Sequence, residues 1–102
     1  MTERPFKILN LLLKVRLCLE DGNYIDTYHS SLRSIDRGVN RLEILYVLKT
    51  GWHEKSKDIF DRQFQTWNYA IRGKTPEQRE LRIIVSFDID GMLIITAISL
   101  NE

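Results

Sequence analysis

His29, Arg33 and Arg37 stand four residues apart, and Gly38 closes the run. Steps of four keep side chains on nearly one face of an α-helix, so an imidazole and two guanidiniums point the same way over about two turns. A second set, His53, Lys55 and Lys57, is spaced by two, which places all three on one face of a strand. These are the chain's only two histidines, and each lies among cations. An imidazole beside fixed positive charge suits an anion, above all a phosphodiester. Metal-independent RNA cleavage needs a base for the 2′-hydroxyl, an acid for the leaving oxygen and cations for the charge developing on the phosphorane. Histidine titrates near neutrality and can serve as acid or base. Arginine offers a fork matched to phosphate. His29, Arg33 and Arg37 are therefore the candidate catalytic set. His53, Lys55, Lys57 and Arg72 are candidate substrate contacts, and Tyr69 offers a ring on which a base of single-stranded RNA can stack.

Each of these groups also has a purely structural use. His29 can bond a backbone carbonyl ahead of its helix, and Arg33 and Arg37 can pair with Asp26, Asp36 or Glu43. His53, Lys55 and Lys57 can form a solvated strand face, which guards an edge against aggregation without any ligand. Trp52, Trp67 and Tyr69 can pack in a core or on a sheet. Asp88, Asp90 and Gly91 supply too few ligands for calcium and read as a turn. No Gly-x-Ser-x-Gly, phosphate-binding glycine loop or His-Glu-x-x-His occurs, so no cofactor and no metal are implied.

The 102 residues fit one domain, and 43% apolar with 28% charged residues is ordinary for a globular protein. A net charge of +1 excludes a strongly basic nucleic-acid binder, so anion binding must come from local clusters. The one cysteine, Cys18, has no partner for a disulfide or a metal pair, reads as a packed thiol and fits a reducing cytoplasm. Ile8 to Leu13 is apolar apart from Asn10, but Lys14 and Arg16 interrupt it. It is too short for a signal peptide or a membrane span, so a cytoplasmic protein with no membrane partner is expected.

Three segments must position the candidate residues. Residues 1–22 predict a first helix from Pro5 to Asp21, with Leu9, Leu12, Leu13 and Leu17 as its core stripe. Ile8, Leu11, Val15 and Leu19 add apolar surface beyond one stripe. Such a helix is covered on two sides, either within its own domain or by a partner chain, including a second copy of itself. Residues 24–51 predict an extended connector Tyr24 to Thr27, a helix Tyr28 to Arg37 capped by Thr27, and a third helix opened by Asn40 with Glu43 as a capping box. Gly22, Gly38 and Gly51 follow the helices, where a left-handed residue is wanted. In residues 52–100 the period changes to two. Trp52 to Lys57, Trp67 to Gly73, Leu81 to Phe87 and Met92 to Leu100 read as strands, with Asp90-Gly91 as a hairpin signal. The expected architecture is α+β, with N-terminal helices packed on one face of a C-terminal antiparallel sheet.

His29-Ser-Ser-Leu-Arg33-Ser-Ile-Asp-Arg37-Gly38-Val39, followed by Glu43-Ile-Leu-Tyr-Val-Leu-Lys-Thr-Gly51, resembles the start of a small bacterial family of unknown function. That family reads His, Arg, Arg-Gly, a helix, then Gly. Trp67-Asn-Tyr-Ala-Ile-Arg-Gly73, Leu81-Arg-Ile-Ile-Val-Ser-Phe87 and Asp90-Gly-Met-Leu-Ile-Ile-Thr96 resemble its strands, and the similarity spans residues 24–99. The family in turn resembles the RelE/BrnT-type toxins, small α+β ribonucleases. The resemblance implies a RelE-toxin-like fold and a toxin-antitoxin component that binds or cleaves mRNA. It also implies a small antitoxin-like protein as partner. The alternative from the residues themselves is a non-catalytic protein-interaction module that uses the apolar N-terminal helix.

Overall fold

The structure, a computed structural model, describes residues 4–27 and 38–100. The helix expected over Tyr28 to Arg37, with His29, Arg33 and Arg37, lies outside the described residues. Two α-helices and six strands are described: α1 Leu11–Asp21, β1 Tyr24–Asp26, α2 Arg41–Thr50, β2 Trp52–His53, β3 Ile59–Asp61, β4 Thr66–Lys74, β5 Glu80–Asp88 and β6 Gly91–Ser99. A single 3₁₀ turn, Lys55–Lys57, joins β2 to β3.

The strands lie in the order β1-β6-β5-β4-β2, and β3 pairs with the other end of β4. β4, β5 and β6 form the expected antiparallel meander, closed by the Ile89-Asp90 turn and Gly91. Asp88 supports that turn by accepting the amides of Asp90 and Gly91 at 2.8 and 3.0 Å. The connector Tyr24 to Thr27 contributes an edge strand, β1, which runs parallel to β6. The alternating apolar residues of β4 to β6 explain the layering. Tyr69 pairs with Val85 and Val85 with Ile94, and Ile71 pairs with Ile83 and Ile83 with Ala97. All six are buried on the face that α1 and α2 cover.

The capping box forms as expected. Asn40 accepts the Glu43 amide at 2.9 Å, and the Glu43 carboxylate accepts the Asn40 amide at 3.1 Å. α2 buries Ile44, Val47 and Leu48 and leaves Leu42 and Tyr46 exposed.

α1 corrects the sequence reading in two ways. It begins at Leu11 rather than Pro5, because the preceding backbone is tied to the sheet. The Ile8 amide donates to the Tyr69 hydroxyl at 3.0 Å, and the Trp67 indole donates to the Pro5 carbonyl at 2.8 Å. Its buried stripe is Leu11, Val15 and Cys18, whereas Leu9, Leu13 and Leu17, expected inside, are exposed.

Gly22 ends α1 in the left-handed conformation, φ +68°, as expected. Gly51 does not, with φ −78°. It is required by close approach instead, since a Cβ there would lie 2.5 Å from the Arg72 carbonyl oxygen and 2.7 Å from that of Val47.

Candidate functional site

The sheet face opposite the helices carries Asn68, Arg72, Arg82, Ile84 and Ile98, and no described α-helix packs on it. Arg72 and Arg82 are cross-strand neighbours, and Arg82 is opposite Ile98. Glu54 follows β2 and is docked by its amide, which donates to the Ala70 carbonyl at 2.8 Å. Its carboxylate is buried between the two guanidiniums. Arg82 Nε and Nη2 reach Oε1 and Oε2 at 2.6 and 3.2 Å, and Arg72 Nη1 reaches Oε2 at 2.9 Å. Arg72 Nε also donates to Glu80 at 2.9 Å.

The electrostatics follow from this chain of alternating charges. The Arg82 hydrogen bond, with Arg72 assisting, holds the Glu54 carboxyl below its ordinary range against the opposing effect of burial. Arg72 does the same to Glu80, and the two carboxylates push the Arg72 guanidinium up. Glu54 is therefore ionised at neutral pH. Each guanidinium keeps a nitrogen outside these bonds, Nη2 of Arg72 and Nη1 of Arg82, for a further acceptor. Beside Arg82 lies a cavity of about 260 Å³ lined by Lys57, Ile59, Asn68, Arg82, Ile84 and Ile98.

Apart from Lys57, the other candidate substrate contacts do not converge here. Trp52 to Lys57 is not one strand. Only Trp52 and His53 pair with β4, and Lys55–Lys57 turns into a 3₁₀ helix, so the expected common face of His53, Lys55 and Lys57 does not form. Period two over six residues is compatible with both conformations, and the Glu54 amide bond sets where the strand stops. His53 faces the helix side, opposite Ile71. Its Nε2 sits 2.7 Å from Asp58 Oδ2, and its ring meets Tyr69 edge-on at 5.8 Å. Lys55 and Lys57 are exposed. Tyr69 is buried in the core, so its ring offers no face to a base, and burial pushes its phenol up. Of that set, Arg72 lies on the face opposite the helices and Lys57 lines its cavity, whereas His53, Lys55 and Tyr69 do not join them. Of the carboxylates considered as partners for Arg33 and Arg37, Asp26 pairs with Arg41, and Glu43 lies 3.6 Å from Arg79.

Glu54, Asn68 and Arg82 were not singled out from the sequence. The available signal was polarity inside apolar strands: Asn68 between Trp67 and Tyr69, and Arg82 between Leu81 and Ile83. Glu54 carried none, because its partners lie 18 and 28 positions away. Among the described residues, no three His, Cys, Asp or Glu side chains gather as a metal site. No described helix is long and apolar enough to cross a membrane.

The described residues thus form a small α+β protein, with two helices layered on an open, mostly antiparallel sheet and an Arg-Glu-Arg cluster on the face that no described α-helix covers. The chain belongs to a family defined as a domain of unknown function, DUF4258, whose model matches residues 26–99. No curated protein and no solved structure matches it.

Proposed function

We propose that this chain is a toxin-like RNA-contacting protein of the cytoplasm, acting as a metal-independent endoribonuclease through the helix-free face of its sheet. The observation that carries this reading is the pair of guanidiniums gathered on Glu54, each with a nitrogen to spare, next to the Lys57 ammonium and a cavity. Arginine forks match phosphate oxygens. Glu54 shares this face with the Glu80 carboxylate; Glu54, between the two guanidiniums, would take the proton from a 2′-hydroxyl, and Arg72 and Arg82 would stabilise the phosphorane charge. His29, Arg33 and Arg37 belong to the proposal from their spacing, with His29 as the acid for the leaving oxygen. The test is expression in bacteria of the wild type beside His29→Ala, Arg33→Ala and Arg82→Ala, following growth and RNA integrity. Slowed growth and cut RNA with the wild type alone are expected. Equal growth and intact RNA in all four strains would overturn the reading.

A second reading has its own support. Leu13 and Leu17 lie four residues apart on the exposed side of α1, with Phe6 and Leu9 exposed ahead of the helix. An apolar ridge of this kind suits a protein partner, of the small antitoxin-like sort or a second copy of the chain. Sedimentation of the wild type against Leu13→Glu/Leu17→Glu, alone and with a co-expressed partner, tests it. An unchanged monomer with no partner-dependent shift removes it.

A further inference from the structure

We infer that the cavity beside Arg82 is a nucleobase slot, which takes one unstacked adenine of an RNA strand and reads it through the Asn68 amide. This rests on the RNA reading above and adds to it a base preference, a residue that sets it and a place on the sheet.

The shape of the cavity argues for a single ring system. About 260 Å³ falls below the range of about 300–1,000 Å³ usual for drug-sized ligands. Its walls come from four strands. β3 presents Ile59, β5 Ile84 and β6 Ile98, while Asn68 belongs to β4. Register sets them together: Asn68 pairs with Ile59, and Ile98 pairs with Arg82, two residues before Ile84 on the same face. Branched aliphatic walls suit the faces of a planar ring, and RNA recognition relies on bases splayed out of their stacks.

The polar groups are few and differ in kind. Lys57 and Arg82 are cations, suited to the phosphates that flank a base. Asn68 is half-buried, and its side-chain amide has no hydrogen bond to any other described residue. An amide presents one donor and one acceptor side by side. Adenine offers the matching pair on its N6/N7 edge, which is the edge the slot would read, because on the Watson–Crick edge every base sets a donor beside an acceptor. The N7/O6 edge of guanine offers two acceptors and leaves the amide oxygen unpaired. A peptide segment would not need the cations, and a free phosphate would not need the isoleucines.

The test is fluorescence anisotropy with 5′-labelled oligouridine and the same oligomer carrying one central adenosine, guanosine or cytidine. The wild type is expected to bind the adenosine oligomer about tenfold more tightly than oligouridine, the size of one good bidentate contact. Asn68→Ala should bring it down to the oligouridine level and leave oligouridine binding unchanged. Ile84→Phe, which fills the slot, should do the same, with the melting temperature of both variants checked first. In the wild type, the Asn68 side-chain NH₂ resonances should move with the adenosine oligomer and stay still with oligouridine. Equal binding of all four oligomers overturns the slot and leaves the RNA reading standing. An adenosine preference that survives Asn68→Ala likewise overturns it. No binding of any oligomer overturns both.

Discussion

Arg72 and Arg82 face each other across β4 and β5, and Glu54 bridges them. Two like charges in that register repel. The carboxylate between them turns the pair into one charge-assisted network that pins β2 and the following turn to the sheet. Glu54→Gln keeps the shape and removes the charge. It is expected to cost about 1–2 kcal/mol, reduced from the value of a fully buried charged hydrogen bond because the arginine heads reach water. Urea unfolding measures it, and an unchanged midpoint would show that the bridge contributes nothing to the fold.

The same bridge sets a pH dependence. The Glu54 carboxyl is held below its ordinary value of 4.5, so its stabilisation is fully present above that pH. Below 4.5 the unfolded chain takes up the proton first, and the gain is lost as pH falls through the folded value. Glu80 shares the direction through Arg72. The stability gap between the wild type and Glu54→Gln should therefore be constant from pH 7 to about 5 and shrink below it. A gap that stays flat into acid would contradict the assignment.

Much of the sheet was legible because its signals are local. Alternation in Thr66–Lys74, Glu80–Asp88 and Gly91–Ser99 reports the buried face directly, and the Asn40/Glu43 box marks a helix start within four residues. The phase of α1 was not legible. Between Ile8 and Leu19 eight positions are Leu, Ile or Val, so several stripes fit equally well and tertiary packing chooses among them. The Glu54 cluster failed for the opposite reason. Its members look like three unrelated surface charges until the strands are in register.

Helix phase gives a direct test. Leu11 is 2% exposed and Leu13 is 53% exposed, although both belong to the same apolar run. Leu11→Ala should cost about 2–5 kcal/mol, and Leu13→Ala should stay within about 0.5 kcal/mol. Thermal melts of the two variants at equal concentration would separate them. The reverse order would restore the stripe read from the sequence.

Asp58 gives the last prediction, because one buried carboxylate holds three parts of the chain. Its Oδ1 accepts the Ala70 amide at 2.9 Å, and its Oδ2 meets His53 Nε2 at 2.7 Å and Lys7 Nζ at 3.0 Å. The side chain has no exposure at all, whereas that of Lys7 keeps 37%. Losing Lys7 leaves a carboxylate still bonded to Ala70 and His53. Losing Asp58 strands an amide of β4 and frees the segment ahead of α1, whose Lys7 also lies 4.6 Å from the centre of the Trp67 ring. Asp58→Ala is therefore expected to cost about 3 kcal/mol, near the low end for breaking a buried pair, and Lys7→Ala less than about 1 kcal/mol. In a Trp52→Phe background, Trp67 emission should shift with Asp58→Ala, because its indole loses the neighbourhood of Pro5 and Lys7. Equal losses from the two alanine variants would mean that the ion pair with Lys7 is all that Asp58 contributes, and an unmoved emission maximum would mean that Asp58 does not hold the N-terminal segment on the sheet.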